Sequence, residues 1–149
     1  MGDLPSATAL LQAFREPTGV RLEHSVLGAA RDLVECHERS YGTLGTGGAI
    51  DAERAALIDR IDTWVAHHVQ HRGGASLHTE TLGAVIDRMA AKWVTAQHAL
   101  GLTGPADPSG TLPPAADAHL HWVRLAELAD GYRDLVTDIL EHRRRLPVF

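Results

Sequence analysis

The sequence predicts an all-α protein: an antiparallel bundle of four main helices preceded by a short N-terminal helix, forming one domain over residues 1–149. Three observations predict it. Apolar residues recur at steps of three and four, the spacing that lines one face of a helix. No segment alternates apolar and polar residues as a half-buried strand does. Links bearing Gly and Pro separate the periodic stretches, and mostly short links make neighbouring helices antiparallel.

Each element has its own local signals. A short helix over residues 7–15 follows Ser6 and is ended by Pro17 and Gly19. The second helix is expected over 25–41, with the stripe Val26, Ala30, Leu33, His37 and Tyr41 turned inward. Residues 42–48 read as a linker. They follow a helix and lack the Gly-Lys-Ser/Thr ending of a phosphate loop. Asp51 is expected to cap the third helix, which runs to about residue 72 with Leu57, Ile58, Ile61, Trp64, Val65, His68 and Val69 inward. Gly73 and Gly74 stop it. The fourth helix begins around Thr79 to Thr81 and runs to residue 100; Leu82, Val85, Ile86, Met89, Trp93, Ala96 and Leu100 form its broad apolar face. Residues 101–114 are a surface connection rich in Gly and Pro. The fifth helix, about 115–143, carries the stripe His121, Leu125, Leu128, Tyr132, Leu135, Val136 and Ile139, and Gly131 interrupts it at a cost of about 1 kcal/mol relative to Ala.

Bulk properties narrow the function classes. A chain of 149 residues with 44% hydrophobic and 22% charged residues has an ordinary globular composition. At that size a domain buries roughly 70% of its unfolded surface, so folding alone requires no metal or disulfide. The single cysteine, Cys36, rules out an intramolecular disulfide. A net charge of −5 argues against a nucleic-acid partner. The one basic cluster, Arg143, Arg144 and Arg145, reads as cations complementing a helix C-terminus. No secretion signal and no membrane-spanning run is seen, so a cytoplasmic location without a membrane partner is expected.

Ten histidines are many for this length, and they are placed unevenly. At about 100° per residue, His37 falls in the middle of an apolar stripe, and His68 and His71 lie close to one. An up-down-up-down bundle would gather His37, Glu38, His98 and His121 at one end and His68, His71, His78 and Glu80 at the other. Imidazole and carboxylate together can move protons or bind a transition metal. The competing reading is that inward histidines are satisfied polar residues, bonded to a carbonyl or carboxylate. No HExxH, no Cys/His zinc spacing and no Glu-x-x-His pair occurs, so no metal ligands are assigned. Cys36 beside His37 is no nucleophile–base pair, because adjacent helical residues point about 100° apart.

The fourth helix is the most distinctive segment. Glu80, Asp87, Ala91, Val94 and His98 align on its back at steps of seven, four, three and four. Ala91 and Val94 make that stripe semi-apolar, so the helix is expected to be covered on both sides, with Arg88 and Lys92 forming a third stripe. Two carboxylates and an imidazole on a covered stripe form a candidate pocket wall; salt-bridge ties to neighbouring helices are the alternative.

The run Thr79-Glu80-Thr81-x-Gly83-x-x-Ile86-Asp87-Arg88, followed by His98, resembles the bacterial family called domain of unknown function 4254. Cys36-His37-Glu38, Ile58-Asp59-Arg60-Ile61-Asp62-x-Trp64, Leu125-Ala126-Glu127-Leu128 and Arg144-Arg145-Leu146-Pro147-Val148 fit as well, the last resembling actinobacterial members. The likeness covers about residues 26–149. It implies a small helical protein, and it implies no reaction. It points to residues that the helical wheel also selects: His37, Glu38, Glu80, Asp87, Arg88 and His98.

Together these readings favour a small-molecule site inside the bundle, serving an acid–base enzyme or an accessory binding protein in bacterial specialised metabolism. Glu80, His98 and Asp87 are the candidate catalytic groups. Arg88, His37, Glu38, His78 and His121 are the candidate ligand-binding groups. No cofactor is indicated. One alternative is a homodimeric interaction module anchored by Trp93, Trp122 and Trp64. The other is a metal-binding protein built on the histidine ends.

Overall fold

The computed structural model describes residues 4–17, 21–41, 47–69, 73–99 and 115–147. It is an all-α bundle of α1 (Ala7–Arg15), α2 (Ser25–Ser40), α3 (Gly47–His68), α4 (Leu82–Ala99) and α5 (Ala115–Leu140). Two short strands, β1 (Ser76–Leu77) and β2 (Arg144–Arg145), pair in parallel.

Helix starts follow from side chains that reach back to free N–H groups. Ser6 Oγ accepts from the Ala9 N–H at 3.0 Å and opens α1. His24 Nδ1 accepts from the Val26 N–H at 3.1 Å and opens α2. Thr81 Oγ1 accepts from the Ala84 N–H at 3.1 Å and opens α4.

From α2 onward, sequential helices run antiparallel. The start of α2 meets the end of α3 through Arg60 and Ser25, and its end meets the start of α3 through Arg39 and Glu53. Asp62 near the end of α3 reaches Gly83 at the start of α4, while Arg54 lies 3.8 Å from Asp87 one turn further on. Trp93 packs edge-on against Trp122, and His78 faces Arg144, which sets α4 against α5 in opposite directions. Helix α4 thereby packs against α2, α3 and α5 and forms the centre of the fold. Ile86, Met89 and Ala90 of α4, with Leu33 of α2 and Ile61 of α3, are fully buried. Each larger side chain among these stabilises the fold by about 1.5–3 kcal/mol relative to exposure. Tyr132 secures the N-terminal segment: it is 1% exposed and its hydroxyl donates to the Pro5 carbonyl at 2.6 Å.

Gly83 fixes the closest helix contact. A Cβ there would stand 2.6 Å from the Ile58 carbonyl oxygen and 2.8 Å from Asp62 Oδ1. Asp62 in turn accepts the Gly83 N–H at 2.8 Å. The two runs Ile58–Asp62 and Thr79–Gly83, far apart in sequence, are the two halves of one helix junction.

Several expectations require correction. Helix α3 begins at Gly47, inside the expected linker, so Asp51 lies within the helix near Arg54 and does not cap it. Ala49 and Ile50 suit a helix as well as a link, which is why composition misplaced the boundary. The helix ends at His68, and that residue is exposed rather than inward. Its ring stacks on Trp64 at 4.6 Å, and its Nδ1–H donates to the Trp64 carbonyl at 2.9 Å. Tyr41, expected inward, is 48% exposed. Helix α4 begins at Leu82, which leaves Glu80 outside it. Helix α5 ends at Leu140, three residues early. There His142 adopts φ +61°, and the Arg143 and His142 N–H groups return to the Asp138 and Ile139 carbonyls, a left-handed stop that normally favours Gly. The chain then turns into β2, which no periodicity announces. His71, Leu100 and the expected connection 101–114 lie outside the described residues.

Candidate functional site

The stripe on the back of α4 is covered by α2. Val94 is 1% exposed on it. His37 Nε2–H donates to Asp87 Oδ1 at 2.8 Å, and His98 Nε2–H donates to Glu38 Oε2 at 2.9 Å. Tyr41 stacks on the His98 ring, centroids 3.8 Å apart and planes 9° off parallel. Asp87 and His98 stand eleven residue steps apart, a rise of about 16 Å. Adjacent residues of α2 therefore reach in opposite directions along α4, and the two imidazole–carboxylate pairs stand apart. Glu80 is separate again: its carboxylate accepts from Arg88 Nη2 at 2.8 Å. His121 shares none of these contacts, and its buried Nδ1 has no hydrogen-bond partner among the described residues.

Where α4 begins and α5 passes, the surface opens into a cleft of about 270 Å³. One side carries His78, Arg88 and Arg144; the other carries Glu127, Gly131 and Asp134. Strand pairing places the cationic side. The Ser76 N–H donates to the Arg143 carbonyl at 3.1 Å, and the His78 N–H to the Arg145 carbonyl at 2.8 Å. This brings Arg144 Nη1 to 3.4 Å from His78 Nδ1. Asp138 clamps Arg144 at 2.7 Å and Arg143 at 2.8 Å, and these two arginines hold its carboxyl below the usual carboxylate range.

The arginine defines the tautomer of His78. A guanidinium only donates, so Nδ1 is the accepting nitrogen and the proton sits on Nε2. That Nε2 is sealed from solvent and has no hydrogen-bond partner among the described residues. Burial, then the charge of Arg144, pushes the imidazole below its ordinary value of 6.5, against the opposing pull of Glu80. A depressed imidazole favours the folded state above its unfolded pKa and loses that contribution as pH falls through the folded one. Stability should accordingly rise with pH across the region just below 6.5, and His78→Gln should flatten that rise. Urea melts of both proteins between about pH 5 and 7 measure it; parallel curves would mean the ring is not shielded.

Two larger cavities accompany the cleft among the described residues. One of about 450 Å³ lies between α2 and α3 beside Cys36. Burial raises the Cys36 pKa in spite of Arg39, which donates to its sulfur at 3.5 Å, so the residue is held as a thiol rather than poised as a nucleophile. The other, about 370 Å³, lies between α1 and the Trp93–Trp122 pair. Trp93 is only 7% exposed and Trp64 lies between the His24 and His68 rings, so neither indole presents a free face. Among the described residues, no group of three or more His, Cys, Asp or Glu is arranged to hold a metal ion, and no helix is long and apolar enough to cross a membrane.

Of the residues singled out from sequence, His78, Glu80 and Arg88 come together at the cleft. His37 with Asp87 and Glu38 with His98 form separate pairs, and His121 joins neither. Arg144, Glu127 and Asp134 were missed as site residues. The signal that could have found two of them is Gly131, a glycine inside a long helix with a carboxylate four residues before and three after it.

No curated protein and no solved structure matches the chain. A family model matches residues 48–148, which takes in β1, α4, α5, β2 and all but the first residue of α3, and leaves Cys36-His37-Glu38 outside. The elements that build the cleft all lie within that match, and the chain belongs to the family described as protein of unknown function (DUF4254).

Proposed function

We propose that the protein binds a small polar molecule in the cleft between the start of α4 and the middle of α5, and that Arg88 and Arg144 serve there as its hydrogen-bond donors. The carrying observation is the pair of guanidinium groups on one side of the cleft, with Arg144 set there by its contact with His78 and Arg88 by its bond to Glu80. Arg88 and Arg144 each keep N–H groups beyond those used on Glu80 and Asp138, so an anionic end of the ligand has donors on the same side. Glu80 positions Arg88. His78 positions Arg144 through Nδ1, and its neutral Nε2–H is far too weak an acid to give up a proton near neutral pH.

The other readings have less support. The His37–Asp87 and His98–Glu38 pairs satisfy each other and tie α2 to α4. Specialised metabolism, a metal role and a homodimer have no particular contact behind them.

A thermal-shift screen of small carboxylic acids and amino acids tests the proposal. A ligand at 100 times its Kd stabilises the fold by about 2.7 kcal/mol, which corresponds to roughly 5–10 °C for a chain of this size. Arg88→Gln and Arg144→Gln should each remove the shift produced by a hit. Hits that persist unchanged in both variants, or the absence of any hit, would overturn the assignment.

A further inference from the structure

We infer that the ligand of this cleft is zwitterionic: an amino-acid-like molecule whose ammonium group lies against Glu127 and Asp134 while its oxygen-bearing end meets the two arginines. The inference rests on the function proposed above and adds the chemical class of the ligand.

The two sides of the cleft differ in how their charges are used. Each arginine already has a carboxylate: Glu80 for Arg88 at 2.8 Å and Asp138 for Arg144 at 2.7 Å. Glu127 and Asp134 line the opposite side and have no ion pair among the described residues. The unmatched charge of the cleft is therefore negative and lies on α5, while the unmatched hydrogen-bond donors lie on the other side. A plain anion would satisfy the arginine donors and leave two carboxylates facing it. A plain amine would satisfy the carboxylates and leave those donors empty. A molecule with an ammonium at one end and a carboxylate at the other satisfies both.

Gly131 makes room for such a molecule. Glu127, Gly131 and Asp134 stand at steps of four and three and share one face of α5. A Cβ at Gly131 would meet no atom within 4 Å. The glycine is exposed, and its φ is not in the left-handed region, so neither packing nor backbone conformation demands it. Its effect is a gap between two carboxylates, set in the middle of the longest helix.

The test compares matched pairs by thermal shift and calorimetry: L-leucine with 4-methylpentanoate, L-glutamate with glutarate, and 4-aminobutyrate with butyrate and butylamine. At least one amino acid should bind about 10- to 100-fold more tightly than its partner lacking the amine, the loss expected for one charge-assisted hydrogen bond. Glu127→Gln combined with Asp134→Asn should erase that preference while leaving the unliganded melting temperature within a few degrees. Gly131→Leu should block binding without lowering that temperature. If the desamino acids bind equally well, with binding still lost in Arg144→Gln, the zwitterion inference fails and the anion-binding reading stands. If no probe of any kind binds, both fail. A preference for 4-aminobutyrate over the α-amino acids would place the two charged ends further apart on the ligand.

Discussion

Replacing Gly83 with Ala should lower the melting temperature by roughly 4–8 °C, the equivalent of about 2 kcal/mol for a chain this size. Ala is the better helix former, which alone would add up to about 1 kcal/mol. Sterics reverse the sign. The added methyl would meet the Ile58 carbonyl oxygen at 2.6 Å, Asp62 Oδ1 at 2.8 Å and Ile58 Cγ2 at 2.9 Å. The first of these is backbone and cannot rotate away, so α3 and α4 must separate. Separation also weakens the bond from the Gly83 N–H to Asp62, whose carboxyl burial already pushes up in spite of Gly83 and Thr81 donating to it. Gly28→Ala is the matched control. Gly28 lies inside α2, and its added Cβ would meet nothing within 4 Å, so the same change there should be neutral or stabilising by up to about 1 kcal/mol. Thermal melts of the two variants decide the point. If both behave alike, the close approach of α3 to α4 is not what Gly83 provides.

The contrast between these glycines shows which parts of the molecule could be read in advance. Helix α1 was legible to the residue, because Ser6 and Pro17 act on neighbours a few positions away. The buried face of α4 was legible because helical spacing projects directly onto burial: Leu82, Val85, Ile86, Met89, Trp93 and Ala96 are all buried. The Thr-Glu-Thr-x-Gly run was recognised as distinctive but read for its charges. The reason for its glycine is the backbone of Ile58, twenty-five residues earlier, and no local pattern carries that. Strands β1 and β2 were invisible for a related cause, since two residues cannot display a period of two. Asp87, Ala91, Val94 and His98 of the expected polar stripe lie on α4, whereas Glu80 precedes it. What the stripe faces was not legible: Asp87 and His98 each meet an α2 residue, at points about 16 Å apart. The cleft joins residues 78 and 88 to residues 127, 134 and 144, and Glu127 and Asp134 on a helical wheel look like an ordinary solvated face.

Leu146→Ala should cost about 3 kcal/mol, within the range for removing buried methyl groups from a core, and lower the melting temperature by roughly 6–12 °C. Leu140→Ala, six residues earlier, should change stability by less than about 0.5 kcal/mol. Position in the chain suggests the reverse, because the last residues of a domain usually fray. Burial decides otherwise. Leu146 is 2% exposed and belongs to the central core with Tyr132, Leu135 and Ile139, whereas Leu140 is 62% exposed on the last turn of α5. Leu146 is also the apolar anchor that holds β2 against β1, with Arg145 Nε adding a bond to the Ala75 carbonyl at 3.2 Å. Loosening that anchor should have a local signature as well as a global one. Hydrogen exchange at the Ser76 and His78 amides, which donate to Arg143 and Arg145, should accelerate in Leu146→Ala more than exchange in the middle of α2. Because β2 also carries Arg144 to His78, the same variant should lose part of the pH dependence attributed to that imidazole. Uniform acceleration across the bundle would mean that Leu146 supports the core alone. Acceleration confined to β1, with a flatter pH profile, would mean that the C-terminal strand is what holds the cationic side of the cleft in place.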